Sequence, residues 1–191
     1  MTNQEIIAML KEAGVLLEGH FLLTSGRHSD KYMQCAKIFQ DAKYSVPLCA
    51  ELVAQYRDEN VELVIGPAIG AISMSYEVGK QLGVRNIFAE RENGVMTLRR
   101  GFTIEKGERV LIVEDVVTTG GSVREVMDLV RDCGGEIVGV GSIVDRTGGK
   151  IDFGVPYRSA FSMDITSYEP GDCPICKTGM PRVKPGSRAV K

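Results

Sequence analysis

The chain lacks the features that binding to nucleic acid or to a membrane requires. It contains no tryptophan and only six tyrosines and six phenylalanines, so we expect no broad stacking surface for single-stranded nucleic acid. Its net charge is −2, without a run of basic residues, whereas duplex DNA or an anionic membrane calls for a basic field. The longest apolar stretch, 137–144, is too short to span a bilayer, and no secretory signal is expected at the N-terminus. We therefore expect neither nucleic acid nor a membrane as a partner.

The cysteines are too scattered for a disulfide framework. There are five, an odd number, which favours a reducing, cytoplasmic location. Cys173 and Cys176 form a C-x-x-C pair, but a structural zinc ion normally needs four ligands, and we expect neither a second C-x-x-C nor a histidine pair to complete them. We therefore interpret the pair as a turn of the tail or an adventitious disulfide. His28, one of two histidines, is interpreted as a solvated loop residue.

Composition favours one compact globular domain that is rich in glycine. Hydrophobic residues make up 43% and charged residues 25% of 191 residues, which is typical of a folded domain. The 22 glycines exceed the usual share of about 7%. A surplus of this kind predicts places where the backbone approaches another group closely.

The first third of the chain predicts helices and short strands. Thr2 and Glu5 have the spacing of a capping box, so a helix should begin near residue 3. Residues 18–40 indicate short strands and loops, and 42–58 indicate a helix with Pro47 in its first turn.

Short apolar runs alternate with helical patterns from residue 63 onwards. The runs cover 63–66, 86–89, 109–113 and 137–144, and the helical stretches cover 71–82 and 122–133. This alternation is typical of βαβ units around a buried parallel sheet, which binds ligands at the carboxyl ends of its strands. The polar stretch 91–107 is compatible with a hairpin or a mobile flap, and 168–191 with an irregular tail.

The segment from Val110 to Ser122 is the strongest functional signal. An apolar run ends in two adjacent carboxylates, Glu114 and Asp115, and Thr-Thr-Gly-Gly-Ser follows before a helix begins. Free N–H groups at a helix N-terminus bind phosphate, hydroxyls add donors, and glycine permits close approach. The carboxylates would repel a phosphate, so they suit the hydroxyls of the sugar that carries it, or a shared Mg²⁺. The pattern predicts a clamp for ribose 5-phosphate.

The alternative interpretation of this segment is a solvated acidic pair followed by an ordinary helix cap. Other nucleotide motifs do not fit the chain. It has no G-x-x-x-x-G-K-[ST] sequence, and Gly139-Val140-Gly141 lacks the third glycine of a dinucleotide fingerprint. Walker-type ATP hydrolysis and NAD binding are therefore disfavoured.

Several segments, in chain order, resemble the orotate phosphoribosyltransferases, which are type I phosphoribosyltransferases. The acidic strand and Thr-Thr-Gly-Gly-Ser resemble the signature for phosphoribosyl pyrophosphate (PRPP), which many phosphoribosyltransferases share. The segment 19–32 is similar to the N-terminal segment of the orotate enzymes in particular. Gly66-Pro67-Ala68 resembles their pyrophosphate loop, and Val144-Asp145-Arg146 resembles their downstream Asp-Arg. The tail, C-P-x-C followed by K-P-G-S-R, is also similar to one branch of these enzymes.

The resemblance implies an α/β fold: a doubly wound, mainly parallel sheet with a small N-terminal hood and a lid loop. The hood would comprise residues 1–40 with the tail 150–191, the core 41–149 and the lid 91–107. It also implies the transfer of a ribose 5-phosphate group from PRPP to orotate, which yields orotidine 5′-monophosphate and pyrophosphate in pyrimidine biosynthesis. Mg²⁺ would be the cofactor, held mainly through PRPP with Glu114 and Asp115 nearby and without a direct protein ligand. A homodimer is implied, with each lid reaching the neighbouring site.

Site residues follow from the same resemblance, position by position. PRPP would bind Gly66, Pro67, Ala68, Arg91, Glu114, Asp115, Val116, Val117, Thr118, Thr119, Gly120, Gly121 and Ser122. Orotate would bind Ser25, Gly26, Tyr32, Thr118 and Arg146. The chain departs from some family members at Thr24, where they carry a lysine.

The lid departs from the family pattern, because residues 91–101 contain neither lysine nor histidine. Arg91, Arg99 and Arg100 are its candidate catalytic residues, together with Asp115 of the clamp. Arginine stabilises pyrophosphate but is a poor proton donor, so electrostatic assistance is expected and no general acid is assigned.

Other interpretations of these motifs remain open. The chain would be a PRPP-sensing regulator if it kept the clamp but bound nucleic acid, although its near-neutral charge argues against this. A purine phosphoribosyltransferase is a second alternative, against which the Ser-Gly-x-x-Ser segment argues. Taken alone, each of these motifs also has a simpler interpretation. Gly66–Ala68 fits a plain strand–helix turn, residues 25–32 fit a surface loop, and Arg146 fits a surface ion pair with Asp145.

Overall fold

A computed structural model describes residues 1–23 and 25–185. The helices are α1 (Asn3–Glu12), α2 (Ala42–Val53), α3 (Ile72–Leu82) and α4 (Gly121–Asp132), with short 3₁₀ helices at Cys35–Gln40 and Cys176–Thr178. The strands are β1 (Leu16–Leu22), β2 (His28–Met33), β3 (Leu63–Pro67), β4 (Arg85–Glu92), β5 (Val95–Thr97), β6 (Arg109–Val117), β7 (Glu136–Asp145) and β8 (Tyr157–Ser162). Among the described residues, no helix has the length and apolar character needed to cross a membrane.

Six strands form the central sheet in the order β5-β4-β3-β6-β7-β8. All neighbouring pairs are parallel except β4 and β5, which form a hairpin. Because side chains alternate along a strand, β6 directs Leu111 and Val113 into the core under α2 and α3, and Val110 and Ile112 into the core under α4. The predicted α/β fold with a mainly parallel sheet is confirmed.

The first two helices begin where their capping residues stand. Thr2 caps α1 and exchanges hydrogen bonds with Glu5, which completes the predicted capping box. Asp41 caps α2 through the backbone N–H of Lys43. The predicted position of Pro47 in a first turn is wrong, because α2 begins at Ala42 and Pro47 lies inside it. This helix also ends at Val53, short of the predicted 58.

The central sheet extends beyond two predicted limits. β6 continues through Glu114 and Asp115 to Val117, because its ladder with β7 pairs Glu114 with Ser142 and Val117 with Asp145. After residue 149, where the predicted core ends, β8 adds a parallel edge strand beside β7. The sequence pattern did not indicate β8, because most of its residues are only partly buried.

The tail pairs with both edges of the β1–β2 hairpin. Tyr168 exchanges backbone hydrogen bonds with His28, and Val183 bonds the backbone of His20 and Leu22. Arg27 and Ser29 also bond the tail, at Ser167 and Thr166 respectively. The interpretation of His28 as a solvated loop residue is wrong, because it lies in β2 and is 1% exposed. Tail and hairpin therefore form one unit.

Candidate active site

The two strongest sequence motifs lie at adjacent strand ends. The chain runs from β3 outward to β4 and later returns to add β6 on the other side of β3, so the strand order reverses between β3 and β6. Open α/β sheets bind ligands in the crevice at such a reversal, beyond the carboxyl ends of the strands. Here β3 ends in Gly66-Pro67 and β6 ends beyond Glu114-Asp115.

The carboxylate pair is buried at this edge. Asp115 is 8% exposed and Glu114 is half-buried. Burial, and then the neighbouring Asp115 carboxylate, raise the pKa of Glu114 to about 8, and burial also raises the pKa of Asp115. Two carboxyl groups that are costly to ionise together are poised to accept hydroxyl hydrogen bonds or to face a cation. The interpretation as a solvated acidic pair is therefore not supported.

The N-terminus of α4 follows directly and carries no side-chain cap. Gly120 has φ +72°, and a Cβ there would lie 2.5 Å from Ile151 Cδ1, so backbone conformation and packing both require glycine. Around Gly121 the space is open apart from Thr119 Oγ1. Thr118 and Thr119 are exposed. Within the described residues no protein group bonds the hydroxyls of Thr118, Thr119 and Ser122, so this end of the helix offers free donors to a phosphate.

The loop after β3 lies against the carboxylate pair. A Cβ on Gly70 would lie 3.2 Å from Asp115 Oδ2, so the absence of a side chain allows this approach. Ala68 donates its backbone N–H to Ala89 of β4, and the peptide bond between Ala68 and Ile69 is cis. Helix α3 follows, and it too has no side-chain cap. The structure thus brings the predicted pyrophosphate loop and the predicted ribose clamp together.

Arg146 lies at the end of β7 beside residues of the hood. Its Nε is buried and has no hydrogen-bond partner among the described residues. Burial lowers the pKa of Arg146, and nearby Cys35 and Tyr32 act in the opposite direction. The alternative ion pair with Asp145 is not found, because the Asp145 carboxylate accepts hydrogen bonds from Thr147, Gly149 and Ser162. A buried donor aimed at no protein acceptor is suited to an anionic ligand.

Cys35 is a neighbour of this site that the sequence did not indicate. It begins the 3₁₀ helix that packs against β6, and it is 3% exposed. Burial and the Asp115 carboxylate raise the pKa of its thiol, and Arg146 acts in the opposite direction. Cys35 is therefore a buried thiol in the neighbourhood of both the acidic pair and Arg146. The sequence offered no signal for it beyond a small apolar residue after β2.

Ser25, Gly26 and Tyr32 lie in and after the β1–β2 turn. Gly26 has φ +80° and donates its N–H to the carbonyl of Leu23. Leu23 in turn donates its N–H to the carbonyl of Arg27. The Tyr32 ring lies 5.8 Å from that of Phe21, and its hydroxyl donates to Gln34. Tyr32 is also near enough to Arg146 to act on its pKa. Thr24, where the chain departs from the lysine of some family members, lies outside the described residues, as does Gly186–Arg188 of the tail motif.

The predicted lid is a hairpin whose arginines are ion-paired. β4 and β5 join through Asn93 (φ 51°) and Gly94 (φ 85°), a two-residue turn in which both residues need positive φ. Arg91 pairs with Glu125 of α4 at 2.7 Å. Arg99 pairs with Glu92, and Arg100 with Glu90. Among the described residues none of the three is ion-paired with Glu114 or Asp115, so the structure does not bring the predicted catalytic arginines to the acidic pair.

Comparison with known proteins identifies the family of this chain. A family model, the phosphoribosyl transferase domain, matches residues 36–152. The orotate phosphoribosyltransferase of Pelotomaculum thermopropionicum is 57% identical over 190 residues, which cover 100% of both chains. The chain belongs to the orotate phosphoribosyltransferase family. The relative from Thermotoga maritima with the same name is 52% identical over 183 residues, or 96% of this chain and 98% of that one.

The fold of this family member agrees with solved structures. The crystal structure of orotate phosphoribosyltransferase from Aeropyrum pernix superposes with a TM-score of 0.68 at 26% identity, over 83% of this chain and 93% of that chain. The resemblance inferred from the motifs is therefore confirmed, as is the type I phosphoribosyltransferase fold. The family is one of PRPP-using transferases.

Proposed function

We propose that this chain carries out the reaction for which its relatives are named: transfer of a ribose 5-phosphate group from PRPP to orotate. The bond from the anomeric carbon to pyrophosphate breaks, and a bond to a ring nitrogen of orotate forms as that nitrogen loses its proton. The observation that carries the proposal is the contact of the Gly66–Gly70 loop with Asp115. This contact supports the proposal that the loop cradles the leaving pyrophosphate while the neighbouring carboxylates hold the ribose.

PRPP would be held by two helix N-termini and one carboxylate pair. The free N–H groups of α4, with the hydroxyls of Thr118, Thr119 and Ser122, anchor the 5-phosphate. Backbone N–H groups of the Gly66–Ala68 loop and the start of α3 hold pyrophosphate. Glu114 and Asp115 accept hydrogen bonds from the ribose hydroxyls. Such fixed donors stabilise charge on the leaving group as the bond breaks.

Mg²⁺ is the proposed cofactor, held chiefly through PRPP. Carboxylate oxygens are the ligands that Mg²⁺ prefers, so Glu114 and Asp115 fit a position near the ion. When bound, the ion would neutralise charge on pyrophosphate. The protein residues would orient the ribose and exclude water from the anomeric carbon.

Orotate would lie between the hood and the end of β7. Its carboxylate and ring carbonyls suit the guanidinium of Arg146, whose Nε is buried without a partner, together with the Ser25–Gly26 turn and Thr118. Tyr32 would contact the ring of the base. The hood residues 1–40, with the tail, would thus select the base, while the core holds PRPP.

The β4–β5 hairpin is the proposed lid, within residues 91–107. The ion pairs of Arg91, Arg99 and Arg100 are largely exposed, and such pairs contribute only about 0–1 kcal/mol, so they exchange readily for contacts with pyrophosphate. We further propose a homodimer in which this hairpin reaches the neighbouring site. It is supported by Tyr76, which is 59% exposed beside a groove lined by Phe39, Phe88 and Phe102.

One assay tests the activity and the base specificity together. The chain is incubated with PRPP, Mg²⁺ and, separately, orotate, uracil, hypoxanthine or adenine. Orotate absorbance is expected to fall, with no turnover of the other bases. Tight PRPP binding without turnover of any base would instead indicate a PRPP-sensing regulator, and turnover of a purine would indicate a purine enzyme.

A variant of Arg146 assigns the base site. Arg146→Ala should raise the KM for orotate at least about tenfold, because a paired hydrogen bond to a carboxylate is lost, and leave PRPP affinity within about twofold. Arg131→Ala is the matched control, since Arg131 is exposed at the far end of α4 and pairs with Asp128. Equal orotate KM values in the two variants would contradict the assignment.

A further inference from the structure

Four potential metal ligands converge in the unit formed by hairpin and tail. They are His20 of β1, His28 of β2 and the tail residues Cys173 and Cys176, and their ligand atoms all lie within 4.8 Å of one another. The two histidines lie on paired strands: the register pairs His28 with Leu22, and the ladder shifts register around His20, between Glu18 and Phe21. The expectation that the chain has no histidine pair is wrong, because His20 and His28 meet from two strands although they are eight residues apart in the chain.

Four of the six distances between these atoms lie within about 0.4 Å of the edges of a zinc coordination tetrahedron, and the other two are at most 4.8 Å. With Zn–N near 2.05 Å and Zn–S near 2.3 Å, a tetrahedron has edges of about 3.3 Å between nitrogens, about 3.6 Å between nitrogen and sulfur and about 3.8 Å between sulfurs. His20 Nε2 and His28 Nδ1 are 3.1 Å apart. His20 Nε2 lies 3.7 Å from Cys173 Sγ and 3.6 Å from Cys176 Sγ, and His28 Nδ1 lies 3.2 Å from Cys176 Sγ.

The surroundings favour a built site over a chance encounter. His20, His28 and Cys173 are at most 2% exposed, while Cys176 is exposed and offers a path for an ion. His20 Nδ1 donates to the carbonyl of Met180 at 2.8 Å, which leaves Nε2 as the free ligand atom. Histidine ligands of metals are commonly oriented in this way by a backbone carbonyl.

The same four side chains can also be arranged without a metal, through hydrogen bonds alone. An experiment must distinguish that arrangement from metal binding. In it, His28 Nδ1 donates to His20 Nε2, and His28 Nε2 accepts from Arg182, whose Nη1 lies at 3.4 Å. Metal binding at Nδ1 would move the proton of His28 to Nε2, and the exposed Arg182 side chain would turn away. A Cys173–Cys176 disulfide is the second competing arrangement.

We propose that His20 Nε2, His28 Nδ1 and the thiolates of Cys173 and Cys176 bind one zinc ion. A tetrahedral set of two nitrogens and two sulfurs is typical of zinc, and all four positions are filled by protein, as in structural sites. The two thiols release their protons on binding, so the doubly charged ion meets two negative ligands. The ion would fasten the tail to the hairpin that carries Ser25, Gly26 and Tyr32.

Metal content of the full chain is the primary test. After loading with ZnCl₂ and removal of excess ion, elemental analysis should find about one zinc per chain, and Cys176→Ser and Cys173→Ser should retain less than about a fifth of that amount. Cys133→Ser is the matched control, since Cys133 ends α4 and has no part in the cluster, and it should keep the full content. Zinc content that is negligible in the unaltered chain, or equal in all variants, would overturn the proposal.

Two spectroscopic readouts remain informative where a variant folds poorly. CoCl₂ added to the unaltered chain should give the visible bands of tetrahedral cobalt with thiolate ligands, and equimolar ZnCl₂ should abolish them. Mass spectrometry of the untreated chain should show both thiols reduced. Cobalt bands of octahedral type would show that the thiolates do not bind the ion and would favour the metal-free arrangement. A mass lower by two hydrogens, with no bound metal, would favour the disulfide.

The effect on base binding rests on the proposed function and is measured separately. Once a chelator has removed zinc and has itself been dialysed away, assays with Mg²⁺ supplied should show a rise in the KM for orotate severalfold larger than the rise in the KM for PRPP, and added ZnCl₂ should reverse it. If zinc binds but no base is turned over, the proposed function fails and the metal site stands. If orotate is turned over by a chain that binds no zinc, the metal site fails alone.

Discussion

The four helices begin in two different ways. α1 and α2, which precede the central sheet in the chain, are capped by their own residues Thr2 and Asp41. α3 and α4, at the strand reversal, have no side-chain cap. The first four N–H groups of a helix lack partners within it, so a cap stabilises the free protein whereas an uncapped end keeps donors for a ligand. Under the proposed function, the difference separates residues that serve stability from those that serve binding.

An acidic residue introduced at the start of α4, in place of a free helix end, should have the largest effect on PRPP binding. Gly121→Asp places a carboxylate where the 5-phosphate is proposed to bind, so kcat/KM for PRPP should fall at least about 100-fold. The free energy of unfolding should rise by about 1 kcal/mol, because aspartate favours a helix N-terminus and replaces glycine. Steady-state kinetics and urea unfolding measure both. Gly121→Asn is the uncharged control, and a similar kinetic loss there would refute charge repulsion as the cause.

Removing one charge of the clamp should have the next largest effect. Asp115→Asn should weaken PRPP binding at least about tenfold while the fold is kept, because burial already disfavours the ionised form of Asp115. Titration of PRPP by calorimetry and circular dichroism measure the two effects. Asp128→Asn, on the exposed side of α4, is the control. Unchanged PRPP affinity in Asp115→Asn would count heavily against a ribose clamp.

The raised pKa of Glu114 should make PRPP binding release protons. With a folded pKa of about 8, the Glu114 carboxyl holds a proton at pH 7 that ribose hydroxyls or Mg²⁺ would displace. Calorimetry of PRPP·Mg²⁺ binding in buffers of different ionisation enthalpy should detect this release, and Glu114→Gln should reduce it.

The raised pKa of Glu114 should also make the stability of the ligand-free protein depend on pH. The folded state binds the Glu114 proton more tightly than the unfolded state, whose pKa is near 4.5, so the free energy of unfolding should fall as the pH rises from about 4.5 to about 8. Glu114→Gln should flatten that fall. An identical slope in both proteins would show that the pKa of Glu114 is ordinary.

Loss of the side-chain cap of α1 or α2 should have the smallest effect, lowering stability and leaving PRPP binding unchanged. Thr2→Ala or Asp41→Ala should each lower the free energy of unfolding by about 1 kcal/mol, because the helix loses the side-chain acceptor at its N-terminus. Urea unfolding measures the loss, and the KM for PRPP should stay within about twofold. A large rise in that KM would erase the distinction between the two classes of helix.

Local patterns were enough where one segment contains the whole feature. The capping box of α1, the strand–turn–helix from Val110 to Ser122 and the apolar runs of the βαβ alternation were all predictable, because each is a continuous stretch of the chain. β8 was not, since a partly buried edge strand has no clear apolar run. The lid arginines were placed by ion pairs with Glu90, Glu92 and Glu125, which the sequence does not specify.

By itself, the sequence determined the fold class, the family and the segments proposed to bind phosphate. Only the tertiary structure decided what meets at the strand reversal: Gly70 against Asp115, and Cys35 and Tyr32 beside Arg146. It also decided that two histidines on separate strands face two cysteines about 150 residues further along the chain. The physical reason is that sheet order and hairpin register, which long-range packing selects, determine which distant side chains become neighbours.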